Sequence, residues 1–213
     1  MNQINSNKKY LHPSQIIVLG FVCVIVVGSL LLVLPIASAT GKSVNYLDAL
    51  FTSTSAVCVT GLVVIDPNTL SLFGQIVLMS LIQIGGLGFM TVATFLFMLI
   101  GKKISLRERI IIKESLNENT MSGLVRTIKK ILIFTFSIEA AGAALLALRF
   151  MKDFSPARSI YYGIFHAVSA FCNAGFDIIP AGDNLSLYAG DPLVNIVIMG
   201  PVSYTNLDVY KRQ

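Results

Sequence analysis

Two short stretches, Cys58-Val59-Thr60-Gly61 and Cys172-Asn173-Ala174-Gly175, end in glycine and stand 114 residues apart in a chain of 213. Neither holds a carboxylate, an imidazole or an amine. What each offers is backbone. A glycine reaches conformations closed to other residues and lets successive carbonyl oxygens point toward one axis. Rings of such oxygens replace the hydration shell of a monovalent cation, which is the basis of a potassium filter. A divalent ion would call for carboxylate ligands. The side chains differ between the stretches while the glycine stays, as carbonyl coordination allows. The alternative is that Gly61 and Gly175 are ordinary turn glycines.

The two stretches belong to a longer repeat. Shifted by 114 positions, Phe51–Gly61 falls on Phe165–Gly175, with Phe, Ser, Ala, Cys and Gly identical in the pattern F-x-x-x-S-A-x-C-x-x-G. The same shift lays the first long apolar run on the third. The repeating unit is therefore span, re-entrant segment, span. Irregular backbone at membrane depth is tolerated only when buried in protein or lining a water-filled cavity, so this unit itself implies a pore or site. The short helix before each glycine stretch is expected to aim its partly negative C-terminal end at the central cavity. About four such wedges close a ring, so more units are expected than the two seen.

The elements that must hold these loops are legible from hydropathy. The chain is 54% hydrophobic and 13% charged, against roughly 25% charged in soluble domains, and its mean hydropathy is +0.75. Crossing about 30 Å of hydrocarbon takes about 20 helical residues. Ile16–Ile36, Leu70–Ile100 and Ile131–Phe150 are long enough, and a fourth run begins at Leu193 and reaches Met199. Tyr46–Ile65 is too polar to span, with Thr52, Ser53, Thr54, Ser55 and Thr60, and suits a short re-entrant helix followed by extended chain. The predicted fold is an all-α integral membrane protein of repeated helix–re-entrant pore loop–helix units around a pore, two of an expected four. Its predicted segments are a cytoplasmic N-terminus (1–15), a first unit (16–100), a cytoplasmic connector (101–130), a second unit (131–200) and a tail (201–213).

The net charge of +5 is topogenic rather than nucleic-acid binding, because the basic residues flank the spans without aromatic interleaving. Lys8, Lys9 and the connector residues Lys102, Lys103, Arg107, Arg109, Lys113, Arg126, Lys129 and Lys130 mark the cytoplasmic side. The N-terminus is thus expected inside, with both re-entrant segments entering from the exterior. Within the connector, Ile110, Ile111 and Ile112 amid charges predict an amphipathic surface helix, either a solvated connector or a docking surface for a cytosolic partner. No cleavable signal peptide is evident; Ala37-Ser38-Ala39 is the one weak cleavage candidate. Cys23, Cys58 and Cys172 form no close pair, which argues against a zinc site or a disulfide framework.

Other residues have both a functional and a plainer role open to them. Gly85, Gly86 and Gly88 suit close helix packing or a flexible point, with packing favoured. His166 has Thr52 as its repeat-mate and is expected to pack rather than bind metal. Glu139 is an intramembrane carboxylate and so a functional candidate, but Lys129, Lys130 and Arg149 are too distant in sequence to name a partner. Cys58, Ser55 and His166 could suggest an intramembrane enzyme, but no acid orients the histidine and no enzyme is expected.

The stretches Leu47–Leu62, Gln83–Met90 and Phe171–Phe176 resemble the Ktr/Trk/HKT family of potassium transporters, most closely the bacterial Ktr-type membrane subunit, over about Ser14 to Met199. The resemblance implies four units around one pore with a filter glycine in each, Gly61 and Gly175 being the first two. Carbonyls of Cys58, Val59, Thr60, Cys172, Asn173 and Ala174 would line the ion path. It further implies potassium uptake, often sodium-dependent, across the cytoplasmic membrane, with no cofactor beyond the transported ion. The implied partners are membrane lipid, a second copy in a homodimer and a cytosolic regulatory ring that senses adenine nucleotides. Another monovalent cation, sodium included, remains open as the substrate.

Pro201–Gln213 breaks the repeat. Unit one continues apolar past Met79-Ser80, whereas after Met199-Gly200 the chain turns polar, and Asp208, Lys211 and Arg212 would fall in the membrane. Each would cost about 2.5–3.5 kcal/mol at a helix centre. The tail also back-translates into a near-perfect inverted repeat of the kind left by joined sequencing adapters. It is expected to be non-native, and the chain to be the N-terminal part of a longer protein.

Overall fold

The computed structural model describes residues 12–99, 106–115, 123–180 and 185–200. The expected non-native tail lies outside these residues, as do 1–11 and parts of the connector. The regular elements among the described residues are helices, with one isolated antiparallel bridge between Ser38 and Leu70. The helices are α1 (Pro13–Val33), α2 (Tyr46–Val57), α3 (Leu72–Leu87), α4 (Phe89–Leu99), α5 (Leu106–Ser115), α6 (Leu124–Phe150) and α7 (Pro156–Phe171). A last helical run, α8, covers 192–200.

Local chemistry accounts for the starts. Asn45 accepts the Leu47 N–H through its side chain and caps α2, and Ser71 does the same for Gly74 at the head of α3. Pro13 and Pro156 sit in the first turns of α1 and α7, where a missing N–H removes no helix bond.

Among the described residues two helices, α1 with 21 residues and α6 with 27, are each long and apolar enough to cross a membrane. Their outer faces expose Val18, Val22, Val26 and Leu30 on α1 and Ile133, Phe134, Leu145 and Leu148 on α6. An apolar surface of this kind suits lipid rather than water. The molecule is an all-α integral membrane protein.

The run read as one continuous crossing over 70–100 is instead two helices, α3 and α4, bent by 105° at their junction. Together they make one broken span or a re-entrant turn. The junction is Gly88, at φ +80° and ψ 136°, a combination that residues bearing a Cβ rarely adopt. Hydropathy stays high through the junction and cannot report the break.

The repeat is visible in the packing. Each long helix carries a short one: α2 lies on α1 and α7 on α6. Gly28 on α1 lets Ser53 of α2 come close enough to donate to the Ile25 carbonyl at 2.8 Å. At the equivalent place in unit two, Gly142 of α6 faces Ala167 of α7 without a hydrogen bond to make. The amphipathic helix expected in the connector forms as α5, which buries Ile111 and Ile112 and exposes Ile110.

Candidate functional site

The chain leaves α2 and α7 by the same route. In unit one, Cys58 N–H bonds to Thr54 carbonyl (2.8 Å), Val59 to Ala56 (3.2 Å) and Thr60 to Ser55 (2.9 Å). In unit two, Cys172 bonds to Val168 (3.0 Å), Asn173 to Ala170 (3.0 Å) and Ala174 to Ser169 (2.7 Å). Every donor and acceptor is displaced by 114. The pattern is a Schellman ending, in which the residue after the cap turns left-handed and the next N–H reaches back five residues. Val59 and Asn173 take that left-handed place at φ 56° and 58°, and Gly61 and Gly175 repeat it at φ 73° and 72°.

The structure brings the two loops into contact. A Cβ built on Gly61 would lie 2.6 Å from the Ala174 carbonyl oxygen and 3.6 Å from the Gly175 Cα. One built on Gly175 meets only the Gly61 Cα, at 3.8 Å. Of the eight expected residues, Gly61, Ala174 and Gly175 thus adjoin one another directly. Cys58 and Cys172 are the helix caps. The Cys172 thiol turns toward α3, where a Cβ on Gly86 would meet its sulfur at 2.5 Å.

Behind the loops the two units differ. Thr60 Oγ1 donates to Ser55 Oγ at 2.9 Å. Ala174 has no hydroxyl, and Ser169 instead accepts the Phe176 N–H (3.1 Å) and donates to the Phe176 carbonyl (3.0 Å). A second tie secures the unit-two loop. His166 Nε2 is 2.9 Å from Asp177 Oδ1, and its Nδ1 is 2.7 Å from the Tyr162 carbonyl. The Asp177 carboxylate also accepts the Ile179 and Leu185 N–H groups, at 2.8 and 2.9 Å. Burial pushes its pKa up, but the bonds from His166, Leu185 and Ile179 together outweigh that and hold it below the usual carboxylate range. His166 is thus packed, as its sequence context suggested, but an acid does orient it, contrary to the sequence reading: Asp177, eleven residues on, which it uses to fasten the chain beyond Gly175.

Gln83 and Asp177 were not singled out in the sequence. Gln83 Nε2 donates to Glu139 Oε1 at 2.9 Å, giving the buried carboxyl the partner that sequence left unnamed. Its signal was its place in the Gln83–Met90 string, and that of Asp177 its position two residues past Gly175. Gly85 is a packing glycine, for a Cβ there would run into the Val57 carbonyl at the end of α2. Arg149, too far from Glu139, pairs with Asp191 and, at 2.8 Å, with Asp153. The Tyr188 hydroxyl joins it by donating to Asp153 at 2.8 Å.

Residues 3–203 match the family model described as TrkH, cation transport protein. Curated relatives include the Ktr system potassium uptake protein B of Bacillus subtilis, 45% identical over 208 residues, which cover 94% of this chain and 46% of the relative. The potassium/sodium uptake protein NtpJ of Enterococcus hirae is 47% identical over 179 residues, 84% of this chain and 39% of the relative. The Ktr system potassium uptake protein B of Vibrio alginolyticus is 40% identical over 187 residues, 87% and 40% respectively. The chain spans less than half the length of these relatives.

Proposed function

Since the chain belongs to the TrkH family of cation transport proteins, we propose that it forms part of a potassium-uptake pore whose filter is built from the backbone after α2 and α7. The observation that carries this reading is the matched left-handed backbone at Val59, Gly61, Asn173 and Gly175 in two loops that touch. Backbone held twice in one unusual form, with unlike side chains, suits coordination by carbonyls of residues 58–61 and 172–175. The C-terminal ends of α2 and α7 add partial negative charge close by, which favours a cation without fixing its valence through carboxylates. The remaining carbonyls of the ring would come from further units, for which the relatives' greater length leaves room.

Relatives named for potassium uptake support potassium as the ion. A second reading, in which sodium is carried or required alongside it, is favoured by the potassium/sodium uptake relative. The whole protein would lie in the cytoplasmic membrane with its N-terminus and α5 inside, as a homodimer, with a cytosolic nucleotide-sensing ring as partner. In this reading the protein is a transporter and not an intramembrane enzyme.

The test uses a full-length protein carrying this chain in a host that lacks potassium uptake. The unaltered protein is expected to restore growth at low potassium. Gly61→Ser and Gly175→Ser are expected to lose potassium preference over sodium in uptake assays. Gly61→Ser should be the worse, because its Cβ also strikes the Ala174 carbonyl. Unchanged affinity and selectivity in both variants would sink the filter assignment.

A further inference from the structure

We infer that the base of α6 carries a binding site for one anionic phospholipid. Two open spaces meet there. One, of about 520 Å³, is lined by Arg109 of α5, by residues 123–125, and by Arg126 and Lys129 of α6. The other, of about 630 Å³, runs between α4 and α6 past Phe95, Met98, Leu132, Ile133 and Phe136. Lys129 lines both, so a basic cleft opens into an apolar groove at a single side chain. Among the described residues no carboxylate lines either space. A phospholipid has this same sequence of parts: a phosphate that three cations can hold, then acyl chains that exclude water.

Charge and placement select this occupant. Arg109, Arg126 and Lys129 are exposed and come from two different helices, α5 and α6. Arginine suits phosphate through its planar fork of donors, and lysine supplies a point charge. The groove rises from the charged end of a membrane-crossing helix into its apolar span, the direction an acyl chain takes from its headgroup. The inference rests on the proposed orientation, which puts the base of α6 against the anionic cytoplasmic leaflet. Binding itself can be read in detergent, where orientation plays no part, so its failure and that of the orientation are separable.

The experiment is native mass spectrometry of a full-length protein carrying this chain, purified in mild detergent and titrated with phosphatidylglycerol or phosphatidylcholine. Phosphatidylglycerol is expected to remain bound in preference to phosphatidylcholine. Each basic residue is worth about a fivefold gain near an anionic surface, so Arg126→Ala with Lys129→Ala should weaken retention by roughly thirtyfold. Ala140→Phe, which fills the groove and leaves the charges in place, should also reduce it. Soluble glycerol phosphate in excess should fail to displace the lipid. Equal retention of both lipids, or retention untouched by the variants, would overturn the site. So would displacement by glycerol phosphate, or a groove that takes no lipid because another protein segment covers it.

Discussion

Val59 and Asn173, 114 positions apart, close their helices with the same left-handed turn, at φ 56° and 58°. Asparagine tolerates that region, but for a β-branched residue it is a true outlier. The two units therefore hold one shape at unequal energy. Val59→Asn is expected to stabilise the protein by about 1 kcal/mol, and Asn173→Val to destabilise it by a similar amount. Unfolding midpoints of the two variants in detergent check this. Shifts of the same sign in both would contradict it.

Asp177 makes the second loop sensitive to acid. Its carboxyl titrates below its ordinary value in the folded protein, so its contribution is full above the unfolded pKa, about 3.9. That contribution is lost as pH falls through the lower folded value. Asp177→Ala should lower stability by about 2 kcal/mol at neutral pH, where three hydrogen bonds to a charged acceptor are removed. The gap between variant and parent should narrow as the pH drops below about 4. Melting curves from pH 7 to pH 3 measure it, and a gap independent of pH would show that the carboxylate charge is not what fastens the loop.

The Gln83–Glu139 bond links α3 to α6. Side-chain hydrogen bonds between membrane helices contribute about 0.6 kcal/mol on average. Gln83→Met with Glu139→Met should therefore lose less than the sum of the single variants, by about 1 kcal/mol, because each single change leaves a buried polar group alone. A double-mutant cycle gives the coupling directly, and strict additivity would mean that the bond is not formed in the membrane.

Orientation is open to direct labelling. With Cys23, Cys58 and Cys172 replaced by alanine, a cysteine at Arg109 should react with an impermeant thiol reagent only in permeabilised cells. One at Lys42 should react in intact cells. Both positions are exposed. The reverse pattern would turn the protein over.

The sequence exposed whatever depends on local composition. Hydropathy located α1 and α6, and five identities in eleven positions joined Gly61 to Gly175 before any fold was known. Contacts between distant residues were not legible. Glu139 and Gln83 are 56 residues apart, and Arg149 and Asp191 are 42 apart; nothing local marks either pair. At Gly88 the packing role favoured from sequence is wrong and the alternative, a flexible point, is right, since a Cβ there would meet nothing and the chain bends at it. The bend is a matter of backbone angle, and apolar content is the same on both sides of it. The left-handed turn at Val59 was hidden more deeply, since valine is a residue from which such an angle would not be predicted.

The bend at Gly88 divides the buried interior. One apolar cluster gathers around α2, α7 and the loops that follow them; a second joins Met90 of α4, Ile111 and Ile112 of α5, and Leu124, Ile128 and Leu132 of α6. Helices α1 and α6 run through both levels and stand as posts. The α3–α4 path does not, because a single glycine interrupts it. In mechanical terms α1 and α6 tie a collar to a base, and Gly88 is the joint at which the third connection between them changes direction. A load on α5 therefore has a straight route to the collar along α1, on which α5 packs, and a bent one through α4.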